Sequence, residues 1–260
     1  MISLFLACCG ITQQPSAKQP DAAALVGKMF SYYANATSMT GKIRMTQQAQ
    51  NITDTIVTDL AFEAPSKIFV RQVLSSPSTS DHSYRANVWM VTSDGKDFTY
   101  DFPNEQRLNS NKPEPSRMHE FVNGVNGPLG FRDIFRAAYR SLGDLSIPEL
   151  VAIGGTRNFR AVRDEIATID YVGSANVAGT PVMEVRGMWR PAAESVPTAV
   201  YEIYISADGQ LKRYRQDEKV SVKMPDAKMG TEDIVTTWDV DLNVNAKPDE
   251  SLFSVATAGQ

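Results

Sequence analysis

Side chains able to do chemistry are few and scattered in this chain. Only two histidines occur, His82 in the Ser-rich loop "SSPSTSDHSYR" and His119 in "SRMHEF". General acid–base catalysis needs such a group within hydrogen-bond reach of a reacting atom. Neither histidine has a second histidine near it, or a carboxylate at helical ligand spacing, so a zinc site is not expected. Asp239 and Asp241 share one strand face and could in principle act as an acid–base pair; a polar exterior is the simpler reading. The adjacent Arg132 and Asp133 in "GFRDIF" point in different directions on a helix, which reads as a solvated face. The sequence contains no G-x-S-x-G elbow, phosphate loop or dinucleotide fingerprint. The expectation is a protein that is not an enzyme and takes no metal or cofactor.

Cys8 and Cys9 sit side by side, and residues 10–260 contain no cysteine. That excludes an internal disulfide framework or a cysteine metal site from the body of the chain. The start, "MISLFLACCGITQQPSAKQP", is apolar and then turns to Gln, Pro and Ser. It resembles the end of an export signal followed by a tether, without the positively charged n-region, so the true start is expected upstream or the signal is atypical. "FLAC" is similar to the lipobox of bacterial lipoproteins, with Cys8 as the lipidated residue and Phe5 where Leu is usual. The plainer reading of the same residues is a disordered terminus. The net charge of −4 is spread without blocks, and no basic stripe interleaves with aromatics, so nucleic acid is not an expected partner. No apolar run approaches the ~18 residues of a membrane-spanning helix.

Several elements must position whatever site exists. Asp21 can cap a helix "DAAALVGKMFSYY", on which Leu25, Met29, Tyr32 and Tyr33 form an apolar stripe. From about residue 40 the period becomes two: Ile43 and Met45, then Ile56, Leu60 and Phe62, then "KIFVRQVL" at 67–74. "TIDYVGSANV" and "PVMEVRGMW" are joined through Gly179-Thr180, and a long hairpin turns at Asp208-Gly209 without a register that the sequence fixes. In "DIVTTWDVDLNV", Ile234, Thr236, Trp238, Val240, Leu242 and Val244 point one way. Such alternation predicts an antiparallel sheet with one face covered and one in water. Between the strand groups, "PLGFRDIFRAAYRSLG" predicts a helix over 128–142. Phe131, Ile134, Phe135, Ala138, Tyr139 and Leu142 lie inward, with Arg132, Arg136 and Arg140 opposite. "SIPELVAIGG" is a second candidate helix, with Pro148 suited to its first turn. Strands and helices do not alternate, so the class is α+β, in one domain from 21 to 260 after a tether at 1–20.

The stretch "VWMVTSDGKDFTYDFPNEQ" (88–106) carries the densest apolar face. A two-residue turn at Asp94-Gly95 would set Val91 opposite Phe98 and Trp89 opposite Tyr100, with Val88, Met90, Thr99 and Asp101 on the other side. Two readings follow: these residues fill an ordinary core, or they belong to a concave apolar face that holds something greasy. Burial of acyl chains is worth about 0.8 kcal/mol per CH2, so such a face would suit lipid and serve a sugar or nucleotide poorly.

The order of these landmarks resembles the outer-membrane lipoprotein carrier superfamily (LolA-like, with LolB and mycobacterial lipid-binding lipoproteins as relatives). The resemblance runs over about residues 21–256. It rests on the first helix leading to "TGKIRM", on "EAPSKIFV" at 63–70 and "TSDGKDFTYDFPNEQ" at 92–106, and on "YISADGQLKRYRQDE" with the closing "PDESLFSV" at 248–255. It implies a curved antiparallel half-barrel wrapping a hydrophobic cavity covered by helices. It also implies a place in the periplasm or cell envelope, with anchoring through a lipidated Cys8 as an option. The expected ligand is lipid or an acylated lipoprotein, with an envelope protein as a possible partner, in a monomer. Cavity and lid would be lined by Trp89, Val91, Phe98, Tyr100, Phe131, Ile134, Phe135, Leu142 and Trp238. One departure is Ala64 before Pro65, where the carriers have an Arg that bonds the helical lid. The alternative function is envelope-stress sensing or protein interaction on the same scaffold.

Overall fold

Alternating strands separated by short polar turns can satisfy their backbone groups only by pairing with a neighbour, and short turns make the neighbour antiparallel. The computed structural model describes residues 19–49, 52–75, 88–103, 117–122, 147–153, 166–190, 199–223 and 229–255. Six strands form the first meander: β1 (Ser38–Ala49), β2 (Ile52–Glu63), β3 (Lys67–Ser75), β4 (Val88–Asp94), β5 (Phe98–Pro103) and β6 (Arg117–Val122). Five form the second: β7 (Ile166–Val177), β8 (Thr180–Trp189), β9 (Val200–Ser206), β10 (Leu211–Lys223) and β11 (Met229–Val244). All pairings are antiparallel, and the eleven make one open, curved sheet ordered β6-β5-β4-β3-β2-β1-β11-β10-β9-β8-β7.

The β1–β11 seam joins the two meanders and pairs strands some two hundred residues apart along the chain. Its end is tied by Asn245, held at φ 61, whose backbone N–H donates to the Ser38 carbonyl at 2.7 Å. The Asn245 side-chain oxygen accepts from the Thr37 backbone N–H at 3.1 Å. At Gly41 the strands come so close that a Cβ would stand 2.1 Å from the Asp241 carbonyl oxygen. Glycine is required there.

Directly opposed residues of an antiparallel pair share a face. Met39, Gly41, Ile43 and Met45 of β1 therefore face the same way as Phe62, Leu60, Thr58 and Ile56 of β2 and Val244, Leu242, Val240 and Trp238 of β11. This inner face carries the core, and the alternation expected for the last strand is observed. Helix α1 (Ala22–Ala34) packs into it, and the Asp21 side chain accepts from the backbone of Ala23 and Ala24 at 2.9 and 3.3 Å. The buried stripe is Val26, Met29, Phe30 and Tyr33; Leu25 and Tyr32 are only half-buried, so the stripe read from the sequence is rotated. The reason lies in what the helix rests on: Lys28 Nζ bonds the Ala207 carbonyl, and Gln210 Nε2 donates to the Tyr32 hydroxyl at 2.7 Å. Those two side chains stay at the rim. Helix α2 (Ile147–Ile153) lies against α1 and β10, with Pro148 second in its first turn.

The outer face is mostly solvated and crossed by ion pairs. Asp59 bridges Lys42 and Arg71, Asp239 holds Arg213 at 2.6 Å, and Glu202 lies between Arg186 and Arg215 at 3.2 and 3.1 Å. One patch is covered: a 3-10 helix at Glu250–Phe253 packs on β3 and β4 and buries Phe253. Lys67 lies 5.7 Å over its ring and pairs with Glu250 at 2.8 Å. Thr92 and Thr99, on this outer side, are buried as a result.

The β4–β5 register corrects one expectation. Val91 lies opposite Tyr100, and Ser93 opposite Phe98. The turn spans four residues, because Asp94 Oδ1 accepts from the backbone N–H groups of Lys96 and Asp97 at 2.8 and 2.9 Å, with Gly95 at φ 96. An Asp side chain that captures two backbone donors outcompetes the tight two-residue turn. The slip is two residues, so every side chain keeps its expected face.

Candidate functional site on the inner face of the sheet

Aromatic residues recur on the inner face of four successive strands. Trp189 (β8) stacks on Tyr201 (β9) with ring centroids 4.6 Å apart and lies 6.5 Å from Tyr214 (β10), which is 5.1 Å from Trp238 (β11). All three pairs are tilted, and none is the face-to-face sandwich that ring quadrupoles disfavour. Polar ends are bonded within the row: Trp189 Nε1 donates to the Tyr214 hydroxyl at 2.9 Å, which donates to Gln216 Oε1 at 2.7 Å. The Tyr201 hydroxyl donates to the Thr168 carbonyl at 2.7 Å. Gly187 makes that bond possible. A Cβ there would stand 2.0 Å from the Thr168 oxygen and 2.4 Å from the Tyr201 hydroxyl. Burial pushes the Tyr214 hydroxyl well up and, aided by Asp170, the Tyr201 hydroxyl up to about 12. Both stay neutral in neutral water, with each hydroxyl bonded as above.

Across the seam the inner face is largely apolar, with buried polar residues at Ser93 and in one row that Gln72 and Thr58 share. Ile68, Val70 and Val91 are fully buried, Phe98 nearly so, and Trp89 half-buried. In the row running Trp89, Gln72, Thr58, Ile43, Val240, two members are polar. Gln72 Nε2 donates to Thr58 Oγ1 at 3.0 Å, and Thr58 Oγ1 donates to Glu149 Oε1 of α2 at 3.0 Å. All three residues are buried. Burial pushes the Glu149 carboxyl up to about 7, against the opposing pull of its own backbone N–H and of Thr58. Among the described residues Gln72 Oε1 and Glu149 Oε2 have no hydrogen-bond partner, and neither has Trp238 Nε1 further along the face.

Of the residues expected to form the site, Trp89, Val91 and Phe98 lie on the inner face of β4 and β5, and Trp238 on that of β11. Tyr100 is placed by its backbone opposite Val91. The face thus brings together Val91 and Phe98 on one side of the seam, with Trp238 beyond it. Phe131, Ile134, Phe135, Leu142, the helix expected at 128–142, Cys8 and His82 lie outside the described residues. His119 sits on β6 opposite Asp101. Asp239 is in its ion pair with Arg213, so the polar-exterior reading of that carboxylate is the one the structure supports. Among the described residues, no group of three or more His, Cys, Asp or Glu is placed to hold a metal ion.

Sequence reasoning missed Trp189, Tyr201, Tyr214 and the Gln72–Thr58–Glu149 cluster. Tyr214 could have been found from "LKRYRQ", where one aromatic alternates with charges. The β9–β10 register was not legible because a bulge falls between Leu211 and Arg213. Glu149 gave a fainter signal as the one carboxylate in "IPELVAI".

No protein-family model and no curated protein matches the sequence. Among solved structures, the chain is similar to LprF from Mycobacterium bovis, at 10% identity and TM-score 0.44, over 89% of this chain and 96% of that one. It is similar to the MucA/MucB complex of Pseudomonas aeruginosa at 11% identity and TM-score 0.43, over 91% of this chain and 62% of that one. A LolA superfamily protein from Nitrosomonas europaea matches at 9% identity and TM-score 0.27, over 91% of this chain and 98% of that one. The part of the expected LolA-like half-barrel that is observed is one open, curved antiparallel sheet with a helix on its inner face.

Proposed function

We propose that the inner face of the sheet binds acyl chains, and that the protein is a non-catalytic carrier or binder of lipid or acylated lipoprotein in the bacterial cell envelope. The observation that carries this reading is the inner face itself, on which helices α1 and α2 pack. The face they lie on is apolar and aromatic on strands of both meanders. A large apolar concavity with a few convergent polar groups is what an acyl ligand requires. In the same reading residues 1–20 are export segment and tether, with Cys8 as a lipid attachment point.

Displacement of a fluorescent fatty acid, together with native mass spectrometry of protein purified from its own envelope, tests the reading. The expected outcome is micromolar or tighter uptake and a co-purified lipid. Absence of both, with envelope proteins captured instead, would replace it with the interaction-module reading.

A further inference from the structure

We propose that α2 is latched to the sheet by a proton on Glu149, donated to Gln72 Oε1, and that loss of this proton frees α2 from the inner face. The geometry sets the problem. Glu149 reaches from α2 into the apolar row of β2 and β3, and its Oε1 is tied to Thr58 Oγ1, which is tied to Gln72 Nε2. The two oxygens left over, Glu149 Oε2 and Gln72 Oε1, are both acceptors in the ionised state, and both are buried without a partner among the described residues. Both atoms are shielded from bulk solvent. Two orphaned acceptors in one buried cluster are costly, and one added proton turns one of them into the donor that the other lacks.

Among the described residues nothing charged offsets this. The titratable groups on the elements packed against α2 are Tyr32, Tyr33 and Lys28 of α1, Asp54 of β2, and Tyr214 and Glu218 on the inner side of β10. None contributes to the shift of the Glu149 carboxyl, which desolvation dominates. The sign follows. A carboxyl held up at about 7 in the docked state and near 4.5 when exposed favours docking fully below the lower value. The advantage is lost as pH rises from 4.5 to about 7, and it stays lost above. The full span is 2.5 pH units, about a 300-fold change in the docking equilibrium.

Ligand binding should be linked to the same proton, and this half of the inference rests on the acyl-binding reading. If an acyl chain takes the place of α2, binding releases a proton. Affinity should then rise with pH across that window and level off above it.

The test has two arms on the full-length protein. In the first, backbone hydrogen exchange over 147–153 is followed from pH 5 to 8.5, corrected for intrinsic rates. Protection should fall by two orders of magnitude in the parent and stay flat in Glu149→Gln. Equal pH dependence in both, or none in either, overturns the latch. A carbon-13 titration of the parent's carboxyls covers the case in which the variant does not fold: all glutamates titrating between 4 and 5 overturns it too. In the second arm, fluorescent fatty-acid affinity is measured over the same range. Binding that is equally tight at every pH in the parent sinks the ligand linkage. No binding at any pH removes the acyl-carrier reading, while the latch still stands or falls on exchange.

Discussion

Gly187 offers the sharpest test of how the aromatic row is built. In Gly187→Ala the new methyl would meet the Thr168 carbonyl oxygen at 2.0 Å, the Tyr201 hydroxyl at 2.4 Å and the ring carbon bearing it at 2.6 Å. All three are below any distance that a real Cβ shows, so something must move. The carbonyl is backbone inside the β7–β8 pairing, and Tyr201 is fully buried against Trp189, so neither can swing aside. Overpacking of a tight core costs about 1–3 kcal/mol. Displacing the hydroxyl from its bond to the Thr168 carbonyl adds roughly 0.5–1.5 kcal/mol. The expected loss is therefore about 2–4 kcal/mol, read from urea unfolding with an unchanged slope. Tyr201→Phe removes one of the clashing atoms but not the carbonyl, so the double variant should recover only part of the loss. Gly173→Ala is the control, because no heavy atom lies within 4 Å of the Cβ it would add. It should change stability by less than about 0.5 kcal/mol. A Gly187→Ala protein as stable as the parent would refute the argument that this glycine exists to seat Tyr201.

Phe253→Ala, which empties the covered patch on the outer face, should cost about 3–5 kcal/mol in the same assay. A loss below 1 kcal/mol would show that the 3-10 helix is a loosely held tail. Asp21→Ala removes the carboxylate that accepts from Ala23 and Ala24, and should cost about 1 kcal/mol, while Asp21→Asn should cost little. Equal losses in the two variants would mean that charge, not the cap bond, is what Asp21 supplies.

Most of the architecture was legible in the sequence because it is set by local patterns. The alternation of Ile234 through Val244 determines which side of β11 is buried, whatever lies beside it. Asp21 before an apolar-periodic run determines where α1 starts. The parity of Trp89, Val91 and Phe98 survived an error in the turn, since a slip of two residues returns every side chain to its own face. What local pattern cannot determine is which distant residues meet. The Asp94 turn depends on one side chain capturing two backbone donors, and the β9–β10 register on a bulge. The β1–β11 seam closes over some two hundred residues of chain, and no turn residue encodes it. Only the packing of α2 on the assembled sheet brings Glu149 Oε1 to 3.0 Å from Thr58 Oγ1. A carboxylate that reads as an ordinary helix residue in "IPELVAI" becomes a buried acid near neutrality because desolvation belongs to the assembled fold and not to the peptide.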